Sequence, residues 1–534
     1  MTAPHTYVTT TIPYVNARPH IGFALELVQA DVLARHRRGR GDAVRFQAGT
    51  DDNSLKNVLA AEAAGVEIRE FVDRNAEAFL ALGDALSLTV DDVIRTSRDP
   101  RHRPGVERFW RACADAGDLY RQRYEGLYCT GCEQFYTPAE LRDGRCPEHD
   151  TVPQQVTEEN WFFRLSRYAG PLREAITTGR LCIEPAGRRN EVLAFIDGGL
   201  EDFSVSRPAE RAGGWGIPVP GDPTQVIYVW FDALCNYVTA LGYGSANNPG
   251  NDGGEAYRQW WASDAPEKKS SRLHLLGKGV LRFHAVYWPA MLLSSGQPLP
   301  TGIFVHDYLT AGGRKISKSA GASGAAAAWE PAALAAEYGA DAVRWWLLRE
   351  VPRVGDADFT VGRLIARADD ELANGLGNLV NRVVAMIGRY RDGRIPDLSG
   401  VTGLAPVPPG GEDLDAALRQ AGDLVGAALD EFDFRQATAA VWAIADEANR
   451  FINRVRPWEL AKAERAGDVA AGARLDAVLS ALIGACSALG RELTPFLPDA
   501  AARITSQCTP RDRRLPAPSP VFRRLALAAP GSAG

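Results

Sequence analysis

The N-terminal segment combines a strand pattern and a helix pattern across a short turn. Tyr7 to Ile12 is short and β-branched, as a buried parallel strand should be. After Pro13-Tyr14, apolar residues recur at three- and four-residue steps from His20 to Arg37, which predicts a helix. A strand, a turn and a helix N-terminus point free backbone N–H groups above a sheet edge, an arrangement that favours phosphate.

Two residues at the start of this helix are candidates for contact with a nucleotide. Gly22 would let a flat ligand approach the backbone closely, and the His20 imidazole can donate to a phosphate oxygen. A histidine near a helix start is more often a cap or a surface residue. This segment alone therefore does not establish a nucleotide site.

Further strand patterns are each followed by a polar residue. They are Ala43 to Gly49 before Asp51, Val226 to Phe231 before Asp232, Leu273 to Gly277 before Lys278, and Gly302 to His306 before Asp307. Ligands of open α/β sheets bind at the carboxyl ends of the strands. We therefore expect a doubly wound parallel sheet with its binding site at this edge.

The strand and helix patterns also divide the chain of 534 residues into several parts. We expect a first half of the α/β sheet, an insertion, the second half of the sheet, a lysine-containing loop segment, an all-α helical bundle and an irregular tail. The expected bounds are 1–114, 115–215, 216–310, 311–360, 361–500 and 501–534.

A cysteine cluster in the insertion has the spacing of a metal site. Cys129, Cys132, Cys146 and His149 read C-x2-C-x13-C-x2-H, and we expect no export signal before them. Such a pattern indicates a tetrahedral zinc site rather than disulfides. Four protein ligands leave no open position, so we expect one structural Zn²⁺ in a zinc knuckle.

Charge and hydropathy limit where such a chain can act. A net charge of -6 argues against a general nucleic-acid coat and against DNA binding, so nucleic acid would need a local basic patch. Apolar stretches such as Ala285 to Leu293 are too short to span a bilayer. We expect a cytoplasmic protein without a membrane segment.

A second candidate phosphate site follows the glycine turn at Gly312-Gly313. The loop reads Arg314-Lys315-Ile316-Ser317-Lys318-Ser319, and its two lysines would suit a clamp on a polyphosphate. A basic loop is usually only a solvated surface. Here most cations are arginine, since the other lysines are only Lys56, Lys268, Lys269, Lys278 and Lys462.

The chain has His20-Ile21-Gly22 at a helix start and Lys315-Ile316-Ser317-Lys318-Ser319 much later in the sequence. With these two stretches it resembles the class I aminoacyl-tRNA synthetases. The cysteine cluster and several intervening stretches narrow the resemblance to the methionyl-tRNA synthetase family over roughly residues 5 to 500. Those stretches are Pro13-Tyr14, Glu158 to Phe163, Asp202 to Arg207, Tyr228 to Ala233, Phe283-His284 and Trp288 to Ala290.

The resemblance implies a Rossmann-type catalytic sheet and a two-step reaction. The methionine carboxylate would attack the α-phosphorus of ATP, supplied with Mg²⁺, and the adenylate would pass to the 3′ end of tRNA(Met). His20, Lys315 and Lys318 would be catalytic, and Gly22, Glu26 and Lys278 would join them in binding ATP.

The resemblance also implies an amino-acid pocket. Its residues would be Ile12, Tyr14, Asp51, Trp230, Leu234, Tyr237 and His284. The residue types agree, because Asp51 can pair with an ammonium group and an aromatic wall suits a thioether. Each aromatic residue taken singly could be ordinary core.

In the helical bundle, Asn378 and Arg382 lie four residues apart and hence on one helix face. By resemblance, these two residues and Trp458 would read the CAU anticodon, and their types suit unstacked bases. The alternative is an ordinary bundle surface.

By resemblance, we expect the chain to be a monomer.

The chain departs from the family pattern at four places. Phe23 replaces a second histidine, Asp51-Asp52-Asn53-Ser54 replaces Asp-Glu-His-Gly, Leu234 replaces a proline, and Ala320-Gly321-Ala322-Ser323 follows the lysine loop. The departures suggest a divergent subtype or a paralogue.

Two other hypotheses therefore stay open beside the ligase. One is a paralogue that passes the adenylate to a small amine in secondary metabolism. The other is a tRNA-binding protein without catalysis. The anticodon residues count against the first, and Asp51, Lys315 and Lys318 count against the second.

Overall fold

A computed structural model describes residues 4–129, 134–147, 150–245, 253–262, 270–316, 329–396 and 408–525. Three of the predicted site residues, Cys132, His149 and Lys318, lie outside the described residues.

The centre of the molecule is a six-stranded parallel sheet. Its strands lie side by side in the order Asp92–Arg95, Ala43–Thr50, His5–Thr10, Ser270–Gly277, Gly302–His306 and Cys182–Glu184. Both faces are covered, since Phe304 belongs to one apolar cluster whereas its neighbours Ile303 and Val305 belong to another. The predicted doubly wound α/β fold is confirmed.

The predicted N-terminal helix forms between Ile21 and Gly39, with His20 as its N-cap residue in an extended conformation. Most of its residues from Ile21 to Ala34 are buried against the sheet and the helical bundle. Its last turn carries Arg37 and Arg38, whose positive charges favourably oppose the negative end of the helix dipole.

Other helices surround the sheet or follow its strands. They include Leu55–Ala64, Ile68–Leu80, His102–Asp115, Ala169–Thr177, Ala186–Asp197, Val229–Leu234, Asn236–Thr239, Gly253–Trp260, Trp288–Ser294, Pro331–Tyr338 and Ala340–Arg349. A small sheet of Arg314–Lys315, Leu309–Ala311 and Ala357–Asp358 carries the start of the lysine loop.

Two strand predictions differ from the structure. The segment from Val226 to Phe231 is not a strand of the parallel sheet: the strand is Asp222–Ile227, which pairs antiparallel with Ser206–Pro208, and a helix begins at Val229. A short apolar run does not by itself distinguish a strand from a buried helix. Cys182–Glu184, inside the expected insertion, belongs to the main sheet.

The rest of the expected insertion contains an antiparallel sheet. Its strands lie in the order Gln134–Tyr136, Leu119–Cys129, Gln154–Phe163 and Phe203–Ser204. Cys129 is therefore the last residue of a long strand.

The C-terminal part is helical, as predicted. Its helices are Val361–Arg367, Ala368–Gly377, Asn378–Arg391, Glu412–Asp430, Phe434–Val455, Pro457–Arg465, Val469–Leu493 and Pro498–Cys508. One apolar cluster runs from Val8 and Leu275 in the sheet to Val441 and Leu482 in these helices.

One of these helices, Val469–Leu493, is long and apolar enough to cross a membrane, although the sequence predicts no such segment. It packs against its neighbours Asn378–Arg391, Phe434–Val455, Pro457–Arg465 and Pro498–Cys508, and its buried residues belong to the large apolar cluster. A buried core helix can be as long and as apolar as a membrane-spanning one. These contacts are those of a core helix.

Candidate active site

An aromatic wall stands above the carboxyl edge of the sheet. The Trp230 ring stacks on Phe283 with a centroid distance of 3.8 Å and an interplanar angle of 6°. Tyr14 and His284 both meet the Trp230 ring edge to face, each at a centroid distance of 6.3 Å. The structure therefore brings together three residues that the sequence placed in the amino-acid pocket.

His284 joins this wall to Tyr237. Its Nδ1 lies 3.0 Å from the Val280 carbonyl, which can only accept, so Nδ1 carries the proton. Nε2 is then free to accept from the Tyr237 hydroxyl at 2.8 Å. Burial lowers the pKa of His284 to about 4, so the imidazole is a neutral polar group at physiological pH.

The two aliphatic candidates take different positions. Leu234 is buried in the apolar cluster that also contains Tyr237. Ile12 is half-buried, and its Cγ2 lies 2.9 Å from where a Cβ on Gly49 would stand. The Ile94 carbonyl oxygen would lie 2.3 Å from the same Cβ, so only glycine fits at residue 49.

The loop that carries Asp51 begins where the strand Ala43–Thr50 ends. Asp51 is buried, its N–H donates to the Pro13 carbonyl at 2.8 Å, and it forms a β-bridge with Tyr14. The Asn57 amide donates to the carbonyls of Asp51 and Asp52 at 3.0 and 2.9 Å. These bonds fix the Asp51 backbone beside the aromatic wall.

Two of the unusual residues in this loop have evident structural roles. The Asp52 carboxylate is buried and accepts from Thr50, Ser97 and Arg95 at 2.8, 2.7 and 3.0 Å. Burial nevertheless raises the pKa of Asp52. Ser54 caps the helix Leu55–Ala64 by accepting from the Lys56 N–H at 3.0 Å.

His20 and Gly22 lie together at the start of the N-terminal helix. The His20 Nδ1 and Cε1 each lie 3.0 Å from where a Cβ on Gly22 would stand, so a side chain there would crowd the imidazole. Phe23 meets Phe79 edge to face at 5.2 Å and joins an apolar cluster with Val15 and Phe71. Phe23, which replaces a histidine of the family pattern, is therefore accommodated by apolar packing.

Glu26, predicted at the nucleotide, is turned into the protein. One carboxylate oxygen accepts from the N–H and hydroxyl of Thr11 at 2.6 and 2.7 Å, and the other lies 3.0 Å from His306 Nε2. Glu26 is 4% exposed, and its hydrogen bonds hold Thr11 in place just before Ile12.

Lys278 follows the strand Ser270–Gly277 and is engaged by two acidic side chains. Its Nζ lies 2.6 Å from Asp356 and 3.4 Å from Asp307, and it stands 4.5 Å above the Tyr308 ring. Burial disfavours the charged ammonium, but the two carboxylates outweigh it and raise the pKa of Lys278.

The lysine loop is described only at its start. Lys315 pairs with Thr310 in a short antiparallel ladder. Lys318 lies outside the described residues.

Half of the predicted zinc donor set is described. Cys129 and Cys146 are each 1% exposed and belong to one small cluster with Tyr136 and Leu141. Buried, neighbouring thiols fit a zinc site, whose other expected ligands, Cys132 and His149, are not described. Among the described residues, no group of three or more His, Cys, Asp or Glu side chains is placed to hold a metal.

The three predicted anticodon residues all lie in the helical part. Asn378 is exposed at the first residue of its helix, and Trp458 is 40% exposed two residues after Arg456, whose backbone is left-handed. Arg382 is half-buried, where it donates to Asn449 Oδ1 at 3.3 Å, and burial lowers its pKa.

Comparison with known families gives two matches that together cover most of the chain. The family described as "tRNA synthetases class I (M)" matches residues 6–155 and 131–384. The "Anticodon binding domain of methionyl tRNA ligase" matches residues 407–533.

Individual relatives agree with these matches. The methionine–tRNA ligase of Caldanaerobacter subterraneus subsp. tengcongensis is 38% identical over 501 residues, covering 94% of this chain and 73% of the relative. That of Brucella suis biovar 1 is 36% identical and covers 97% of both chains. The structure of Mycobacterium tuberculosis methionyl-tRNA synthetase in complex with methionyl-adenylate superimposes with a TM-score of 0.86 at 34% identity, covering 98% of this chain and 100% of the other. The chain belongs to the methionyl-tRNA synthetase family of class I aminoacyl-tRNA synthetases.

Proposed function

We propose that this chain activates methionine with ATP as methionyl-adenylate and transfers the methionyl group to tRNA(Met). The observation that carries the proposal is the aromatic wall of Tyr14 and Trp230 closing beside the Asp51 loop. An anionic side chain next to a polarisable apolar wall fits the two ends of methionine.

In this proposal Asp51 binds the α-ammonium group, while Trp230 and Tyr14 surround the thioether. Ile12, Leu234 and Tyr237 complete the apolar shape of the pocket. His284 contributes a neutral ring to the wall, since its protonation would cost free energy in this buried position. A neutral wall suits an uncharged side chain such as that of methionine.

ATP would bind with Mg²⁺ over the start of the N-terminal helix, where His20 and the backbone at Gly22 face the phosphates. Lys315 and Lys318 would neutralise charge that develops on the leaving pyrophosphate. Lys278 and Glu26 would border the nucleotide, and Glu26 would also support the site through its hydrogen bonds to Thr11. Mg²⁺ that enters with ATP would share in neutralising the charge of the phosphates.

For the tRNA, the exposed Trp458 would stack on an unpaired base of the CAU anticodon, and Asn378 and Arg382 would contact base edges. These contacts disfavour a small amine as the acceptor, because an enzyme that transfers to a small amine would not need to read an anticodon.

We also propose one structural Zn²⁺ held by Cys129, Cys132, Cys146 and His149, and a monomeric cytoplasmic enzyme. Light scattering coupled to gel filtration tests the monomer.

A panel of amino acids in ATP–pyrophosphate exchange, followed by charging of a CAU-anticodon tRNA, tests the proposal. We expect exchange with methionine and charging. Exchange without charging would indicate the amine-transferring paralogue, and no exchange with any amino acid would leave only tRNA binding.

A lysine variant tests the catalytic assignment within the same assay. Lys318→Ala should slow exchange by about 3 kcal/mol of activation free energy, as loss of one charge-stabilising donor typically does. Lys462→Ala is the matched control, because this exposed lysine lies on the helix Pro457–Arg465. Equal exchange rates in the two variants would contradict the role of Lys318.

A further inference from the structure

Asn53, which stands where the family pattern has histidine, connects two distant parts of the pocket. Its side-chain amide donates to the Asp232 carboxylate at 2.8 Å, across 179 positions of sequence. Its backbone N–H donates to the Asp51 carboxylate at 3.2 Å. One residue therefore contacts the carboxylate expected to bind the ammonium group and also a second, buried carboxylate.

Asp232 is itself held from the other side. Its second oxygen lies 2.5 Å from His102 Nε2, and both side chains are fully buried. Because a carboxylate oxygen accepts, His102 is the donor through Nε2. The His102 Nδ1 lies 2.8 Å from the Thr239 hydroxyl, which fixes the ring plane.

The backbone near His102 packs closely, and Asp232 lies in a helix. Gly105, one turn after His102, packs so closely that a Cβ would lie 2.4 Å from Thr239 Cγ2. Asp232 belongs to the short helix Val229–Leu234, which also carries Trp230 of the aromatic wall. The contacts from His102 through Asp232 to Asn53 thus connect the Asp51 loop to the helix that carries Trp230 of the aromatic wall.

We propose that Asn53 is a positioning residue that aims the Asp51 carboxylate at the α-ammonium group of methionine, with Asp232 and His102 as its anchor. This inference rests on the proposed function. Without the amide, the buried Asp232 carboxylate loses one of its two side-chain donors. The Asn53 backbone also loses the side-chain anchor that places its N–H against Asp51. A buried carboxylate that lacks a donor is costly, so the loop shifts to find another.

The test compares methionine with 4-(methylthio)butanoate, which has the same side chain and carboxylate but no amino group. Asn53→Ala should raise the KM for methionine about tenfold, as loss of one charge-assisted hydrogen bond typically does, while the KM for ATP is unchanged. The inhibition constant of the amino-free analogue should also be unchanged, since it makes no use of Asp51. Asn53→His, which can donate to Asp232, should restore the methionine KM.

Two results would overturn the proposal. One is an unchanged methionine KM in Asn53→Ala. The other is equal weakening of methionine and the amino-free analogue, which would show general damage to the pocket. If the unmodified chain shows no methionine-dependent exchange, the proposed function itself fails, which is a separate result.

Gln507→Ala is the control for loss of stability. Gln507 is buried far along the chain and exchanges two hydrogen bonds with the backbone of Ser519, at 2.6 and 3.2 Å. Its loss should lower the unfolding temperature and leave the methionine KM unchanged. Circular dichroism and tRNA binding establish whether Asn53→Ala is folded, and Asn53→His provides the second variant if it is not.

Discussion

The Arg344 guanidinium contacts the Asp31 carboxylate at 2.8 Å, and neither side chain is exposed to solvent. Arg344 also donates to the carbonyls of Leu86, Pro495 and Phe496 at 2.9, 3.0 and 2.7 Å. Burial alone would raise the pKa of Asp31, but Arg344 and Arg35 bring it below its ordinary value. Arg344 lies on the helix Ala340–Arg349, so it joins the N-terminal helix to the segment that follows the helix Val469–Leu493.

Removing one partner of this pair should be strongly destabilising. Arg344→Met leaves the Asp31 charge buried with fewer partners, and we expect a loss of about 3 to 5 kcal/mol in the free energy of unfolding. Arg103→Met removes an exposed ion pair with Glu107 and should cost at most about 1 kcal/mol. Urea denaturation measures both, and similar midpoints would contradict the prediction.

Stability should fall on acidification because of His284. In the folded protein its pKa is about 4 instead of 6.5, so between these pH values the unfolded chain binds the extra proton and the folded chain does not. The free energy of unfolding therefore decreases from pH 6.5 to about 4, by up to about 3 kcal/mol from this group, and is unaffected by it above pH 6.5. His284→Gln should show a smaller decrease in urea titrations across this range, and parallel curves would refute the assignment.

Phe23→His restores the family residue but removes a packed ring. Because Phe23 contacts Phe79 and His20 within an apolar cluster, we expect a loss of about 1 to 2 kcal/mol in stability with little gain in exchange rate. Phe23→Leu, which stays apolar, should lose less. A sharp rise in the exchange rate of Phe23→His would show instead that the phosphate site lost a contact when the chain diverged.

Trp458→Ala should separate activation from charging. Loss of a stacking platform costs about 1 to 3 kcal/mol per base, so charging of the CAU-anticodon tRNA should weaken while exchange is kept. Val469→Ala, at an apolar residue that is 85% exposed in the same helical part, should leave both activities unchanged. Normal charging by Trp458→Ala would remove this residue from the anticodon site.

Metal analysis of the purified chain tests the zinc knuckle. We expect about one zinc per chain and its loss in Cys146→Ser, because structural zinc sites use four protein ligands. Cys182→Ser, at an exposed cysteine outside the set, should keep the metal. A zinc-free parent chain with a normal unfolding temperature would rule the site out.

The sequence predicted the elements whose patterns are long or strongly periodic. The N-terminal helix was expected from His20 to Arg37 and extends from Ile21 to Gly39, and Gly302–His306 was predicted at its observed bounds. It did not predict that Cys182–Glu184 completes the parallel sheet, since three residues carry too little pattern to show which sheet they join.

In the site, residue types and the resemblance placed Tyr14, Trp230 and His284 together, and the structure shows these three in contact. The contact between Asn53 and Asp232 was not foreseen, because a hydrogen bond between residues so far apart in sequence leaves no local pattern. The one available signal was the departure from the family at Asn53 itself. The hydrogen bond between Glu26 and His306 was not foreseen either, and the role of Glu26 at the nucleotide stays a prediction.

The apolar cluster shared by the sheet and the helical bundle limits how this enzyme can be shortened. Phe304 of the sheet stacks on Phe432, between two helices of the bundle, at a centroid distance of 4.7 Å. A fragment that ended before residue 361 would lose the bundle side of this cluster and leave Phe304 without its stacking partner Phe432. Such a fragment is expected to aggregate, so a minimal catalyst built from this chain must keep helices whose other task is to meet the anticodon.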